Sequence, residues 1–512
     1  MTNPRLRRLI ITGGGLVLAL FCGYWIAEES FFWPALALCA CTAVLLAWLR
    51  CGLCAVVMAG TLFGYIVGNR GFAQAMPFNG LPLFAAELAL ALTLGAMAFQ
   101  SAVHKVSPVR RDALNLLVLA WLVLGAARLC IDLPRYGIFA LRDSAMVYYA
   151  LFFFIGQSVA ADPSGRRWLQ GALTAALALL PPLFLAYDLA PEWFYGHLLF
   201  RGVPLILYKG DIAATVMAGG VFYFYWRVCA GWRLAWAGVL ASFAGAIYPL
   251  TRAALVAFAL AALLHVLALR GRMLLVLGCS LALSFVGSAA WSLARGTPFE
   301  ESHAYQIGEY ALTVFNVDPG GLLAEPPEGA DVKGNPLDNN EFRRVWWWTV
   351  AEETLENNPG FGSGFGDDLA ARFISEYGLS GDLDFSARSP HSIVLSTFGR
   401  LGFAGLSVLL GLLGAMIVAS CRAAALWRRD RSAGEPVALW AMAWTIFLSA
   451  CFGVVLEGPM GAVVFWTVLG MAAEAGRRVA AAPAADPGAE KSGASPAKSL
   501  QVAGTSALVS GT

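Results

Sequence analysis

The chain reads as an all-α polytopic membrane protein, with about 14 (12–14) transmembrane helices and one large outer loop carrying short helices. Three observations predict this. The 512 residues are 59% hydrophobic and 13% charged, with a mean hydropathy of +0.66, whereas soluble domains are about a quarter charged. Apolar runs recur from residue 9 to residue 474, each about 17–22 residues long and so able to cross a hydrocarbon core of roughly 30 Å. The Lys and Arg residues between the runs alternate in density from one connection to the next, as the positive-inside rule requires.

The runs fall at 9–27, 31–49, 51–68, 81–100, 113–131, 144–160, 168–187, 211–227, 233–249, 253–269, 273–293, 402–420, 437–456 and 459–474. Backbone polar groups in lipid must pair within their own segment, so each run is expected to be a helix. With the N-terminus in the cytoplasm, most of the basic residues fall inside, including Arg5, Arg7, Arg8, Lys105, Arg110, Arg111, Arg166, Arg167, Arg270, Arg272, Arg428 and Arg429. Both termini are then cytoplasmic. The basic start followed by an apolar run imitates a signal peptide, but no small-x-small site precedes Glu28, so it reads as an uncleaved first helix. A net charge of +2 gives no ground for a nucleic-acid partner; membrane lipids are the expected surroundings. None of the ten cysteines lies in the outer loop, so no disulfide framework is implied there.

This divides the chain into an N-terminal helix bundle over 1–293, a loop over 294–401, C-terminal helices over 402–474 and a tail over 475–512. The tail is rich in Ala, Gly, Pro and Ser, with few apolar anchors, and is expected to be disordered.

The loop is a polar island holding about half of the Asp and Glu residues. Its first part, 297–338, is rich in Gly, Pro and acids and reads as irregular. A helix is expected over 341–357, because Asp338 and Glu341 have capping-box spacing and Asn357-Asn358-Pro359 is a stop signal. A second is expected over 367–377, with Leu369, Phe373 and Tyr377 on one face. Ser389-Pro390 reads as N-cap and first position of a third helix, which puts His391 in its first turn. The glycine run 360–366 has no following Lys-Ser/Thr and reads as a turn, not a phosphate loop. Trp346, Trp347 and Trp348 suit an interfacial belt or a sugar platform equally.

Three distant parts of the chain bring cationic or titratable groups to the outer face. Arg201 lies in the loop 188–210 with Lys209, near Asp211; Arg252 stands between two apolar spans; His391 opens a later helix. Guanidinium is always charged and offers a planar fork that suits phosphate oxygens. Imidazole is the usual general base near neutral pH. Two arginines could hold a lipid-linked diphosphate while His391 takes a proton from an attacking hydroxyl. Each alone has a plainer reading: Arg252 could anchor a helix end by snorkelling. Glu87 and Arg128 lie in or near spans, where a mutual structural pair is as good a reading as a functional one. His197 shares the loop of Arg201 and stays in reserve. No Asp-x-Asp or His cluster demands a metal, and no metal or cofactor is expected.

The stretch "EFRRVWWWTVAEETLENNPGFGSGFGDD", then "SPHSIVLSTFGRLGFAGL", resembles the signature region of the O-antigen ligase and polymerase superfamily. There an Arg–aromatic helix leads to P-x-x-G-x-G-x-G, and a histidine starts a helix running into G-x-x-G. The matching positions are Arg343 or Arg344, Pro359, Gly362, Gly364, Gly366, His391 and Gly402 to Gly405. "LTRAALVAF" and "FRGVPLILYKGDIAA" are similar to its two outer arginine segments, at Arg252 and Arg201. Departures are Ser392, where Asn is common, and Gly399-Arg400, where an acid is common.

The resemblance implies a metal-independent, inverting glycosyltransferase of the membrane-embedded GT-C type in a bacterial inner membrane. It would take a glycan from undecaprenyl diphosphate at the periplasmic face and pass it to an acceptor hydroxyl. Lipid A–core would be the acceptor for a ligase, another carrier-linked repeat for a polymerase of O-antigen or exopolysaccharide. By resemblance, Arg201 and Arg252 would hold the diphosphate and His391 would be catalytic. Arg343 or Arg344, Lys209 and Trp347 would be accessory. A reading from a different class is a secondary transporter, which needs charged residues at mid-membrane and broken helices.

Overall fold

The computed structural model describes residues 52–76, 84–104, 108–269, 336–376, 388–430 and 433–481, with scattered positions between 278 and 308. The expected spans 9–27 and 31–49, most of 273–293, most of the irregular segment up to 335 and the tail beyond 481 lie outside the described residues.

The bundle begins with α1 (Gly52–Val67), α2 (Asn69–Gln74), α3 (Ala85–His104) and α4 (Ala113–Tyr136). A run broken by turns follows: α5 (Ile138–Asp143), α6 (Ala145–Tyr148) and α7 (Leu151–Ala161). Then come α8 (Pro163–Leu189) and α9 (Pro191–His197), a two-stranded hairpin of β1 (Leu199–Phe200) and β2 (Val203–Pro204), α10 (Gly210–Cys229), α11 (Ala235–Ile247) and α12 (Arg252–Leu269). The loop contributes α13 (Pro336–Asn357) and α14 (Ala371–Glu376), and the chain re-enters the bundle as α15 (Ile393–Arg429), α16 (Gly434–Ala450) and α17 (Pro459–Ala481). Each expected span between 51 and 269, and between 402 and 474, overlaps helix, though 437–456 runs past the end of its helix at Ala450 into a turn.

This is the make-up of an all-α membrane protein. Six stretches are long and apolar enough to cross a membrane: α4, residues 138–161, α8, α10, α15 and α17. Shorter apolar helices lie in α1, α3, α11 and α12. The apolar windows of α10 and α17 are 78% buried within the protein, those of α4 and α15 only 28% and 33%. So α10 and α17 form the middle, while α4 and α15 present apolar side chains such as Val123, Leu410 and Ile417 outward. Outward apolar faces suit lipid and would be costly in water.

Three expectations about the loop are corrected. The first helix begins at Pro336, five residues early, because proline's fixed φ and missing N–H suit a first turn; Asp338 and Glu341 are therefore inside it. The second begins at Ala371 rather than 367, after a turn in which the Asp368 carboxylate takes the Ala370 amide. The third begins at Ile393 with Ser392 as N-cap, so His391 stands just before the helix instead of in its first turn. Trp346, Val350, Leu369, Ala370 and Phe373 pack into a small core separate from that of the bundle.

The spans expected at Glu87 and Arg128 are helical, but the two residues do not pair with each other. Tyr148 and Tyr149 both donate to Glu87 Oε1, at 3.0 and 2.5 Å. Arg128 binds Asp132 at 2.8 Å and donates to the Ser363 carbonyl at 2.9 Å.

Helix α15 is broken at Gly402 (φ 59°, ψ −155°). An unbroken helix would bond Phe403 N to Gly399 O and Ala404 N to Arg400 O. Here Phe403 N donates to Pro359 O at 2.7 Å and Ala404 N to Gly360 O at 3.0 Å. The freed carbonyls accept from Ser363 N at 2.8 Å and Gly364 N at 3.1 Å. The glycine run is thus a turn, as expected, and one that docks into a helix break.

Gly402→Ala tests this by its sign. In an unbroken helix the change gains about 1 kcal/mol. Here left-handed φ alone costs on the order of 1–3 kcal/mol for a residue with a side chain, and a Cβ would lie 2.5 Å from Gly360 C, Phe361 N and Pro359 O. The expected result is a lower thermal unfolding temperature of the detergent-purified chain; an equal or higher one would contradict the break.

Candidate functional site

His391 sits where α10, α13, α15 and the turn 451–458 between α16 and α17 meet. Its backbone is left-handed (φ 53°), a conformation that persists in a non-glycine residue only where neighbours over-determine it. Here they do. On one side Arg388 donates to the Gly366 carbonyl at 2.8 Å, and its guanidinium lies 4.8 Å from the centre of the Phe139 ring. Ser389 Oγ donates to Glu457 Oε2. The Pro390 carbonyl accepts from Trp347 Nε1 at 2.6 Å. The imidazole packs edge-on against Trp346 at 5.4 Å.

The tryptophan triplet resolves by helical geometry, each residue turned about 100° from the last. Trp346 is buried in the loop core, Trp347 grips the His391 segment, and Trp348 is exposed with its indole N–H on Glu352. On the Trp347 face, α13 also presents Asn340 and Arg343, at three- and four-residue spacing. Arg343 donates to the Phe452 carbonyl at 2.6 Å. Asn340 accepts from Arg252 at 2.6 Å. Arg252 is the first residue of α12, and so reaches the same face of α13 as Arg343.

Lys209 immediately precedes α10 and pairs with Asp211 at 3.3 Å. The charges of Arg343, Lys209 and Asp211 all act on the imidazole. Burial comes first in lowering its pKa to about 4, the two cations add to it, and Asp211 opposes them. His391 is therefore neutral at neutral pH and able to accept a proton. Burial also lowers the Arg343 pKa, against the pull of Asp211.

The structure thus gathers four of the residues that the sequence singled out: His391, Arg343, Lys209 and Trp347, with Arg252 joined through Asn340. Of the adjacent arginines, Arg343 faces this cluster and Arg344 lies on the exposed side of α13. Arg201 is at the exposed tip of the β1–β2 hairpin, in a left-handed turn, with its guanidinium 5.7 Å from the Phe200 ring centre. His197 is stacked on Trp193. No three His, Cys, Asp or Glu side chains gather as a metal site among the described residues.

Two features escaped the sequence. Arg400 is 3% exposed and pairs with Asp143 at 3.0 Å, while donating to the carbonyls of Gly364 and Asp367. Glu457 accepts from both Ser389 and Ser396, the latter at 2.6 Å. Burial pushes its carboxyl upward, while the two serine donors, Arg400 and Lys209 work against that. The signal was the acid-breaker triplet Glu457-Gly458-Pro459, hidden between two apolar runs.

No protein-family model matches the chain, and no curated protein matches it.

The charge arrangement fixes a sign. A histidine whose folded pKa lies below its ordinary 6.5 leaves the unfolded chain binding more protons between about pH 4 and 6.5. Stability from this group is complete above 6.5 and falls as pH drops towards 4. His391→Phe should flatten that part of the stability profile measured by thermal unfolding. Arg343→Gln removes a depressing charge and should shift the dependence upward in pH. An unaltered profile in both variants would contradict the placement of His391.

Proposed function

We propose that the chain is a membrane glycosyltransferase of the bacterial inner membrane, with both termini cytoplasmic. It moves a glycan from undecaprenyl diphosphate to an acceptor hydroxyl at the periplasmic face, as in the O-antigen ligase and polymerase superfamily that it resembles. One observation carries this reading: three helices bring their N-terminal ends to the site with a basic or titratable residue on each. Lys209 caps α10, Arg252 opens α12 and His391 precedes α15. A helix N-terminus already carries partial positive charge, and cations there are unfavourable unless an anion joins them. Arg343 adds a further cation. A diphosphate meets that demand.

In the proposed reaction the acceptor oxygen attacks the anomeric carbon of the donor glycan. The bond from that carbon to the diphosphate oxygen breaks, and the configuration inverts. The acceptor proton passes to the neutral imidazole of His391. The electron pair leaves on the diphosphate, whose charge Arg343, Lys209 and Arg252 stabilise electrostatically. Those interactions grow as the bond breaks and need no proton for the leaving group. Transfer to a lipid A–core acceptor would make the chain a ligase; transfer to another carrier-linked repeat would make it a polymerase of O-antigen or exopolysaccharide.

Secondary transport draws on the break in α15 and on Glu87, features that transporters use to coordinate ions and substrate. Against it, the carbonyls opened by the break are already bonded by Ser363 and Gly364, and the buried Arg400 is matched by Asp143.

The test is glycan transfer by the purified full-length chain from an undecaprenyl-diphosphate-linked oligosaccharide. His391→Ala and Arg343→Ala, at matched membrane levels, should each lower turnover about 100-fold or more. Treatment with a chelator should leave the wild-type rate unchanged. Full activity in both variants would overturn the assignment, and a rate that collapses with chelation would overturn the metal-free mechanism.

A further inference from the structure

Glu457 is a carboxylate with no role in the transfer steps above, yet it is placed against the segment that holds His391. It lies in the turn 451–458. Each of its two oxygens takes a serine hydroxyl: Ser389, two residues before His391, and Ser396, five residues after it and inside α15. The two hydroxyls are themselves 3.2 Å apart. Glu457 is half-buried, and withdrawing an acidic group from water is costly unless it is hydrogen-bonded or paired with charge. Both kinds of compensation are present, with the serines as donors and Arg400 and Lys209 as nearby cations.

Its two bonds span the left-handed residue. The segment 389–396 contains the strained φ of His391 and the helix start at Ile393. Tying its two ends to one rigid carboxylate shortens the path between them, which an ordinary helical first turn would not do. The same turn presents the Phe452 carbonyl to Arg343. Glu457 thus sits in an element bonded both to the segment that carries His391 and to Arg343.

Resting on the transfer reading, we propose that Glu457 is a positioning residue: by bridging Ser389 and Ser396 it holds His391 in the left-handed conformation from which the imidazole faces the Arg343–Lys209 cluster. It touches no reacting atom itself. Its loss is therefore expected to lower kcat while leaving the KM for the donor unchanged, because the diphosphate cations stay in place.

The experiment uses the full-length chain with Glu457→Gln, Glu457→Ala and Ser389→Ala. Glutamine keeps the shape, with an oxygen for one serine and an amide N–H for the other. The first readout needs no activity: the rate of diethylpyrocarbonate modification at His391, by peptide mass spectrometry, with the exposed His197 as internal reference. Glu457→Ala and Ser389→Ala should raise the His391 rate several-fold relative to His197, and Glu457→Gln should raise it least. The second readout is transfer: kcat should fall about 10-fold or more in Glu457→Ala at constant donor KM, with Glu457→Gln in between. An unchanged His391 rate in Glu457→Ala and Ser389→Ala overturns the positioning role whatever the activity does. Chains that fail to fold are identified by loss of a cooperative thermal unfolding transition, and Glu457→Gln then decides. A raised His391 rate in a chain whose wild type transfers no glycan supports the bridge and sinks the transfer reading instead.

Discussion

The exchange of hydrogen bonds at Gly402 is the constraint on which the rest of the structure depends. Two helix bonds of α15 are given up, and the glycine run supplies two carbonyls and two amides in their place. An unpaired buried backbone group costs about 1–3 kcal/mol, and more in lipid, so neither half is stable without the other. The docking needs backbone approach that only glycine allows: a Cβ on Gly364 would lie 2.2 Å from Arg128 Nη2 and 2.4 Å from Asp132 Oδ2. Asp132 in turn accepts from Phe365 N at 2.7 Å, and Asp143 from Gly366 N at 3.1 Å. The loop is thereby sewn to α4 and α5 as well as to α15. What looks from its polarity like a separate outer domain is a clasp on the bundle. Its far end carries α13, and with it Arg343 and Trp347, over the N-terminus of α15.

The site built this way is locally unfavourable in two respects. A non-glycine residue is held with positive φ, and cations crowd the positive ends of helices. Tertiary contacts hold the first against its preference: Arg388, Ser389 and Pro390 are each tied to a different partner. Asp211 offsets only part of the second, since it pairs with Lys209 while Arg343 finds a neutral carbonyl at Phe452. Local violations of this kind collect where function requires them. A fold selected for stability alone would place a Ser or Asp where Lys209 stands before α10.

The helices were legible because the period and length of apolar runs are set by local chemistry, and the runs at 113–131, 168–187 and 459–474 all lie within helices. His391 and Lys209 stood out for a related reason: ionisable groups outside the apolar runs are few in this chain, whereas Arg343 entered only through the resemblance, alongside Arg344. Glu457 was not legible, because a single acid between 437–456 and 459–474 reads as a connection, and only packing reveals its bonds to Ser389 and Ser396. The same holds for Arg400, which sequence places beside an apolar helix and structure pairs with Asp143, 257 positions away in a helix of six residues. The break at Gly402 was visible as a glycine but not as a break, since the bonds that make it tolerable come from Pro359 to Gly364. Arg201, whose loop position and residue type suit an anion site, stands at the exposed tip of the β1–β2 turn.

On the transfer reading, burial keeps His391 a weak base throughout, and Arg343 and Lys209 weaken it further. Those cations are the ones that would hold the donor, so a bound diphosphate would relieve their share of the effect. The coupling is reciprocal by linkage: whatever the diphosphate does for proton affinity at His391, a proton at His391 does for diphosphate affinity. The base is then weakest before the donor arrives, which limits idle protonation. After transfer the imidazolium and the diphosphate product stabilise each other. Release of the lipid diphosphate must therefore be linked to loss of that proton, and the Asp211 carboxylate, already acting on both Arg343 and His391, is the group placed to set how tightly the two are held.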